Sequence, residues 1–168
     1  ELTPVIGHWS NYPQTVCRRL ARNFSDSMRG STVAFSSDLP VAAGMSSSSA
    51  MIVGFYLLLA KANLLFETGE FMENITCSED LAGYLGTIEN GQSFGTLVGD
   101  RGVGTFGGSE DHTAILCCSP GSVSQYSFCP VQYVRTIQIP SGYRFAIGVS
   151  GVVAEKTGDA RLLFNRSS

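Results

Sequence analysis

The fold and the chemistry of this chain depend on one stretch, Leu39-Pro40-Val41-Ala42-Ala43-Gly44-Met45-Ser46-Ser47-Ser48-Ser49-Ala50. It is a small, hydroxyl-rich loop that runs directly into the apolar segment 51–60, which predicts a buried helix. A helix N-terminus leaves backbone N–H groups without helical partners at the positive end of its dipole, where an anion can bind. Gly44 allows close approach of a phosphate, and the serines add hydroxyl donors. The stretch favours a phosphate-binding loop.

Two simpler interpretations of the loop are a Ser-rich linker and a serine N-cap before an ordinary core helix. A flexible linker would not be followed at once by an apolar run, and an N-cap needs one serine, not four. The loop is not of the Walker A type, because it contains no lysine and no Gly-Lys-Ser/Thr.

Length and composition predict one compact unit. The chain has 168 residues and a formal net charge of -3, with 15% charged residues, which argues against a nucleic-acid-binding surface. The apolar run 50–60 is too short to span a bilayer, and no signal peptide is visible at the start of the sequence. An odd number of cysteines without Cys-x-x-Cys spacing predicts buried free thiols. These features favour a cytoplasmic protein without a membrane partner.

Hydrophobic periodicity predicts an α+β fold. We expect helices from Asn11 onward, from the serine loop to about Asn63, over Ser78–Asn90 and around 159–165. We expect strands at 31–35, 131–139 and 143–149, and a polar connector at 67–73. The arginines of the first helix are expected to form a solvated face.

A carboxylate and a glycine-rich segment follow one another near the middle of the chain. Glu89 borders the apolar stripe of its helix, so it needs a basic partner, backbone donors or a metal. On the residues alone, a structural salt bridge is the favoured interpretation. The glycine-rich segment 91–108 predicts a long loop, and Ser109-Glu110-Asp111-His112 comes after it.

The serine stretch resembles the second motif of the GHMP kinases. Six residues match in order: Pro40, Gly44, Met45, Ser46, Ser47 and Ser48. Ser49 stands where many members carry alanine. The resemblance implies a GHMP kinase N-terminal domain, with a fold like ribosomal protein S5 domain 2 and a mixed sheet packed with helices.

Within this superfamily the chain is most similar to galactokinases. Trp9-Ser10-Asn11-Tyr12 resembles a galactokinase Trp-x-Asn-Tyr segment. A metal-binding Glu ends the equivalent helix in galactokinases, and Glu89 is its match. Gly108 and Asp111 fit a Gly-x-x-Asp-Gln segment whose Asp faces the sugar hydroxyl, with His112 in place of Gln and a strand expected after it.

The resemblance implies an ATP-dependent sugar kinase that phosphorylates a monosaccharide hydroxyl. The six motif residues from Pro40 to Ser48 would hold the ATP phosphates, and Ser48 and Glu89 would bind Mg²⁺. Gly108 and Asp111 would bind the sugar, with Asp111 orienting or deprotonating the attacking hydroxyl.

The resemblance also bears on domain organisation. Residues 1–168 are expected to form the N-terminal, ATP-binding domain. The first sugar-binding motif of the family is not found before Trp9, and its C-terminal domain, which would pack against this one, is not found after Ser168. The activity of such a fragment alone would be doubtful.

The sequence also bears on three other functions: a regulator, a nucleic-acid-binding module and a hydrolase. A non-catalytic ATP- and sugar-sensing regulator on the same fold is the main alternative, although Ser48, Glu89 and Asp111 together favour an enzyme. A nucleic-acid-binding module is disfavoured by the acidic charge balance. A hydrolase built from Ser47, His112 and Asp111 is rejected, because the adjacent Asp and His would point to opposite faces of a strand and no Gly-x-Ser-x-Gly is present.

Overall fold

The computed structural model describes residues 3–5, 7–24, 28–40, 43–148, 150–152 and 161–167. These contain helices and one small sheet, which confirms the α+β class. The elements in chain order are α1 (Asn11–Asn23), α2 (Ser47–Ala62), a 3-10 turn (Leu65–Glu67), α3 (Gly69–Asn74), α4 (Ser78–Asn90), α5 (Glu110–Cys117), β1 (Ser122–Ser127), β2 (Gln132–Gln138) and α6 (Arg161–Ser167).

Helix α2 is the centre of the core, because it contacts α1, α4 and α5. Ile52 and Tyr56 of this helix are completely buried, and Tyr56 packs edge-on against Tyr84 of α4, with ring centroids 6.1 Å apart. Val16 and Leu20 of α1 face the same cluster. Burial of these apolar side chains stabilises the helices far more than their intrinsic propensities do.

The three helices predicted around the serine loop are confirmed with close boundaries. Helix α1 begins at Asn11, α2 ends at Ala62, and α4 spans Ser78–Asn90. Gly91 ends α4 in the left-handed conformation, with φ +88°, which glycine adopts without steric cost. Cys77 is the N-cap residue of α4, and its side chain makes no capping hydrogen bond.

The sheet in the described residues is a two-stranded antiparallel hairpin, where the resemblance implied a mixed sheet packed with helices. Strand β2 confirms the strand predicted at 131–139. Ser122 pairs with Gln138, and the register shifts between Gln125 and Tyr126. The Tyr126 hydroxyl donates to the Cys117 carbonyl (3.1 Å), which ties the hairpin to the end of α5.

Two predicted strands are not found in the described part of the chain. Residues 31–35 and 143–148 form no ladder with any described segment, and Val149 lies outside the described residues. A strand needs a neighbour for its backbone groups, and alternation alone does not supply one.

Two further segments are helical against expectation. The predicted connector at 67–73 contains α3, because the Thr68 hydroxyl accepts from the Phe71 N–H and the Phe71 ring is buried. The segment after Gly108 forms α5 where a strand was expected. Glu110 and Asp111 occupy its first turn, where carboxylates favour a helix. The C-terminal helix is present as α6; residues 159 and 160 lie outside the described residues.

The arginines of α1 do not form a solvated face. Arg19 is completely buried, and Arg18 is ion-paired with Asp100 (Nε to Oδ2, 2.6 Å). The cysteines also depart from expectation: all five are free, but four are exposed and Cys117 is only partly buried. Within the described ranges, no helix combines the length and the apolar character needed to cross a bilayer.

Candidate functional site

The serine loop turns sharply before it enters α2. Gly44 has φ +71° and Ser46 has φ +55°, and both values lie in the left-handed region. Ser46 is the N-cap residue, but its side chain makes no capping hydrogen bond. The N-terminus of this sixteen-residue helix is therefore not capped by its own serine side chain, and its first N–H groups have no helical partners.

Ser49, in the first turn of α2, brings two carboxylates together. Its Oγ lies 3.2 Å from Oε2 of Glu89 on α4 and 3.4 Å from Oδ2 of Asp111 on α5. Ser49 is only 2% exposed. Three helices that are distant in sequence thus place one hydroxyl and two carboxylates at a single point.

Close packing of α4 against α5 makes this convergence possible. A Cβ atom at Gly86 would lie 2.8 Å from the Cβ of Ser109, so only glycine allows the start of α5 to come this near. Glu89 follows Gly86 by three residues and therefore lies on nearly the same face of α4. Asp111 follows Ser109 in the first turn of α5.

His112 is buried beside Glu89. Its Nε2 is 3.5 Å from Oε2 of Glu89, yet neither ring nitrogen makes a hydrogen bond to the described residues. Burial lowers the pKa of His112 to about 4, although the nearby Asp111 carboxylate acts in the opposite direction. The imidazole is therefore neutral at pH 7. An arrangement in which His112 activates a serine is not formed.

The neutral state of His112 predicts a pH-dependent stability. An unfolded histidine titrates near pH 6.5, whereas the folded one titrates near pH 4. Between these values the unfolded chain binds the extra proton, so acid favours unfolding. Lowering the pH from 7.5 to 4 should reduce the free energy of unfolding of the wild type by about 3 kcal/mol more than that of the His112→Gln variant. Urea denaturation at several pH values measures this, and equal pH slopes for the two proteins would contradict it.

The glycine-rich segment forms the predicted loop and folds back over the C-terminus of α4. The Val103 N–H donates to the Glu89 carbonyl (2.9 Å), and the Asp100 N–H donates to the Gly91 carbonyl (2.9 Å). Gly102 has φ +57°, and a Cβ there would collide with the Glu89 carbonyl oxygen. Arg18 fixes the loop from α1, through Asp100 and through a 3.0 Å bond to the Gly102 carbonyl. These contacts hold the backbone of Glu89 in place.

A cavity of about 550 Å³ opens beside the two carboxylates. Its walls include Ser49, Glu89, Gly108, Asp111 and the aromatic rings of Phe106, Phe128 and Phe164. Its size is in the range of small-molecule sites. Asn165 of α6 connects this helix to the glycine-rich loop. Its side-chain N–H donates to the Gly104 carbonyl (2.9 Å), and its side-chain oxygen accepts from the Phe106 N–H (3.0 Å).

Tyr12 is a further member of the site. Burial and the charge of Glu89 raise the pKa of the Tyr12 hydroxyl, while a hydrogen bond with Ser48 acts in the opposite direction. Tyr12 therefore lies beside both Ser48 and Glu89, the two residues predicted to bind the metal. In the sequence it was part of the Trp-x-Asn-Tyr resemblance and had no assigned role.

The predicted site residues are brought together to different degrees. Glu89, Gly108 and Asp111 line one cavity, whereas Ser48 lies next to Tyr12 and does not line it. Gly44, Met45 and Ser46 lie in the loop that enters α2, Ser47 is the first residue of α2, and Pro40 is exposed. Ser49, Tyr12 and His112 were not assigned roles from the sequence. A helical reading of 110–117 would have placed Asp111 and His112 about 100° apart around the helix axis, not on opposite faces.

The oxygen donors of the site suit Mg²⁺ better than a softer metal. Among the described residues, no group of three or more His, Cys, Asp and Glu could hold a metal ion on its own. Mg²⁺ is usually bound by one or two carboxylates together with substrate phosphates, so it does not need such a cage. Glu89 and the serine hydroxyls fit that requirement.

Comparison with known proteins gives one match. The family model described as the GHMP kinases N terminal domain matches residues 11–96, just over half of the chain. The chain belongs to the GHMP kinase family. The matched region of this GHMP kinase runs from α1 through the serine loop to α4 and includes Glu89, but it stops before Gly108 and Asp111. No curated protein and no solved structure matches the chain.

Proposed function

We propose that this GHMP kinase transfers the γ-phosphoryl group of ATP to a hydroxyl of a monosaccharide, in the manner of galactokinases. The observation that carries the proposal is the convergence of Glu89 and Asp111 on Ser49, beside the N-terminus of α2 and a cavity of about 550 Å³. Phosphoryl transfer requires chiefly positioning and charge neutralisation. The N-terminus of α2 and a cation held by Glu89 would supply the positive charge, and Asp111 would position the acceptor.

The serine loop would hold the nucleotide phosphates. Pro40, Gly44 and Met45 shape the approach, and Ser46, Ser47 and Ser48 offer hydroxyl and backbone donors at the positive end of the α2 dipole. The left-handed conformations of Gly44 and Ser46 support this role, because successive N–H groups in such a turn form an anion-binding concavity.

Ser48 and Glu89 would bind Mg²⁺. When bound, Mg²⁺ supplies positive charge that neutralises the β- and γ-phosphate oxygens. Tyr12 lies against both residues and would limit the directions in which the Ser48 hydroxyl can point. The loop contacts made by Gly102 and Val103 hold the Glu89 backbone still while its carboxylate binds.

Asp111 would orient the acceptor hydroxyl and take its proton. It lines the cavity together with Gly108, whose lack of a side chain leaves room beside the Phe128 ring. A monosaccharide is small enough for this cavity, and a lining that contains both carboxylates and aromatic rings suits a sugar, which has polar hydroxyls and apolar C–H faces.

A sugar- and ATP-sensing regulator on the same fold is the second candidate. It would bind both ligands through the same residues without turnover. The presence of both carboxylates within reach of one hydroxyl favours the enzyme, since a sensor needs no base at the acceptor hydroxyl.

Sugar-dependent ADP release tests the proposal. The protein is given Mg²⁺ and ATP with a panel of monosaccharides, and turnover is expected with at least one sugar. Glu89→Gln should lower that turnover at least about 100-fold, because a neutral amide is a poor Mg²⁺ ligand. Glu73→Gln, which changes an exposed carboxylate on α3, is the matched control and should have no effect. ATP binding without turnover on any sugar would favour the sensor.

A further inference from the structure

We propose that Ser49 is a positioning residue that sets the Asp111 carboxylate for the reaction while it links Asp111 to Glu89. The inference rests on the proposed function and adds a residue that the serine-loop motif does not assign. Its starting point is geometric: the Ser49 hydroxyl is within 3.2 Å of Glu89 and 3.4 Å of Asp111.

A serine hydroxyl has one proton, so it donates to only one of the two carboxylates at a time. The residue is 2% exposed, and bulk water therefore has little access to replace the bond that is not made. Any cation that neutralises Glu89 makes Asp111 the stronger acceptor. The hydroxyl then turns to Asp111 and holds that carboxylate in one orientation.

Among the described residues, Ser49 is the side chain that hydrogen-bonds the Asp111 carboxylate. His112 packs beside Glu89 and is 1% exposed, but its ring nitrogens make no hydrogen bond to the described residues. The imidazole therefore fills space next to Glu89 without fixing Asp111. Helix α2 fixes the Ser49 Cβ firmly, because the next turn carries the completely buried Ile52.

A positioning role has a kinetic signature. An acceptor hydroxyl is deprotonated efficiently only when the base is held at the right distance and angle. Loss of the Ser49 hydroxyl should lower kcat about tenfold and leave the KM for the sugar within about twofold. A residue that acts through Asp111 should also lose its effect once the Asp111 charge is removed.

The experiment compares Ser49→Thr with Ser49→Val, each with and without Asp111→Asn. Threonine and valine have nearly the same shape, so the pair isolates the hydroxyl from the added volume. We expect kcat to be about tenfold higher for Ser49→Thr than for Ser49→Val when Asp111 is present. In the Asp111→Asn background the difference should fall below about twofold. Ser124→Ala, which removes a hydroxyl from the exposed hairpin, is the control and should leave kcat unchanged.

Each outcome decides the proposal. Equal kcat values for Ser49→Thr and Ser49→Val, or the same ratio in both backgrounds, would overturn it and leave the kinase proposal standing. Absence of turnover in the folded wild type would instead reject the proposed function, and this inference with it. If the valine and threonine variants do not fold, Ser49→Ala alone decides: a tenfold lower kcat at constant KM supports positioning, and an unchanged kcat contradicts it.

Discussion

Asp111→Asn is expected to lower the kcat of the proposed sugar kinase reaction by about 10³-fold. General base catalysis contributes roughly 10² to 10⁴ in rate, and an amide cannot accept the proton of the sugar hydroxyl. Asparagine has nearly the shape of aspartate, and its carbonyl oxygen can still accept from the Ser49 hydroxyl. The fold and the KM for the sugar should therefore change little. Steady-state kinetics with the sugar identified by the panel measures the effect.

Two comparisons make the Asp111 result specific. Glu73→Gln removes one negative charge from an exposed position and should leave kcat unchanged, which excludes an effect of net charge. Thermal unfolding should give the same midpoint for Asp111→Asn as for the wild type within a few degrees. A kcat within tenfold of the wild type would remove Asp111 from the role of base.

The helical core could be predicted from local patterns. Helices α1 and α4 each carry an apolar stripe with helical spacing, and α2 is a continuous apolar run. The burial of Val16, Leu20 and Ile52 follows from these patterns. The end of α4 at Gly91 also follows from a local feature, because glycine adopts the left-handed conformation there without steric cost. These features depend on residues within a few positions of each other, which is the range that a sequence pattern covers.

Strand formation depends on partners that a sequence does not reveal. The segments 31–35 and 143–148 alternate as well as β2 does, but neither has a neighbour in the described residues. Of the three predicted strands, only β2 has a paired neighbour in the described residues, because the short connection after Ser127 brings β1 beside it. Helix α3 was missed for a different reason: its Thr68 cap and Phe71 anchor lie within a run that reads as polar.

The family resemblance predicted the charged residues of the candidate site but not the side chains that contact them. Glu89 and Asp111 were identified from the family resemblance, and the structure brings them to one hydroxyl. That hydroxyl belongs to Ser49, one position beyond the assigned motif, and no spacing rule relates it to residues 40 and 62 positions away. The sequence predicted a strand near His112. The burial of His112 instead depends on the packing of helix α5 against α4, which no local sequence pattern shows.

Arg19→Met is expected to lower the free energy of unfolding by about 2–3 kcal/mol. The Arg19 side chain is completely buried between α1 and α4, and its guanidinium carbon lies 5.5 Å from the centre of the Tyr84 ring. It donates to the carbonyl oxygens of Thr87 (3.3 Å) and Gln92 (2.7 Å) and to Asn23 (2.8 Å). Methionine fills most of the space but removes one donor from each of these partly buried acceptors. The Thr87 carbonyl and the Asn23 side-chain oxygen keep a second donor, from the Gly91 N–H and the Tyr84 hydroxyl, so the Gln92 carbonyl is the acceptor most affected.

Arg22→Ala is the matched control for Arg19→Met. Arg22 lies one turn later on the same helix and is exposed, so its loss should change the unfolding free energy by no more than about 0.5 kcal/mol. Urea denaturation of both variants at pH 7 gives the comparison.

Because Arg19 bonds the Gln92 carbonyl just after α4, the damage should extend to the loop that holds Glu89, and kinase activity should fall in Arg19→Met even below the unfolding midpoint. Equal stability of the two variants would mean that the Arg19 bonds are replaced by water, and that the α1–α4 contact depends on apolar packing alone.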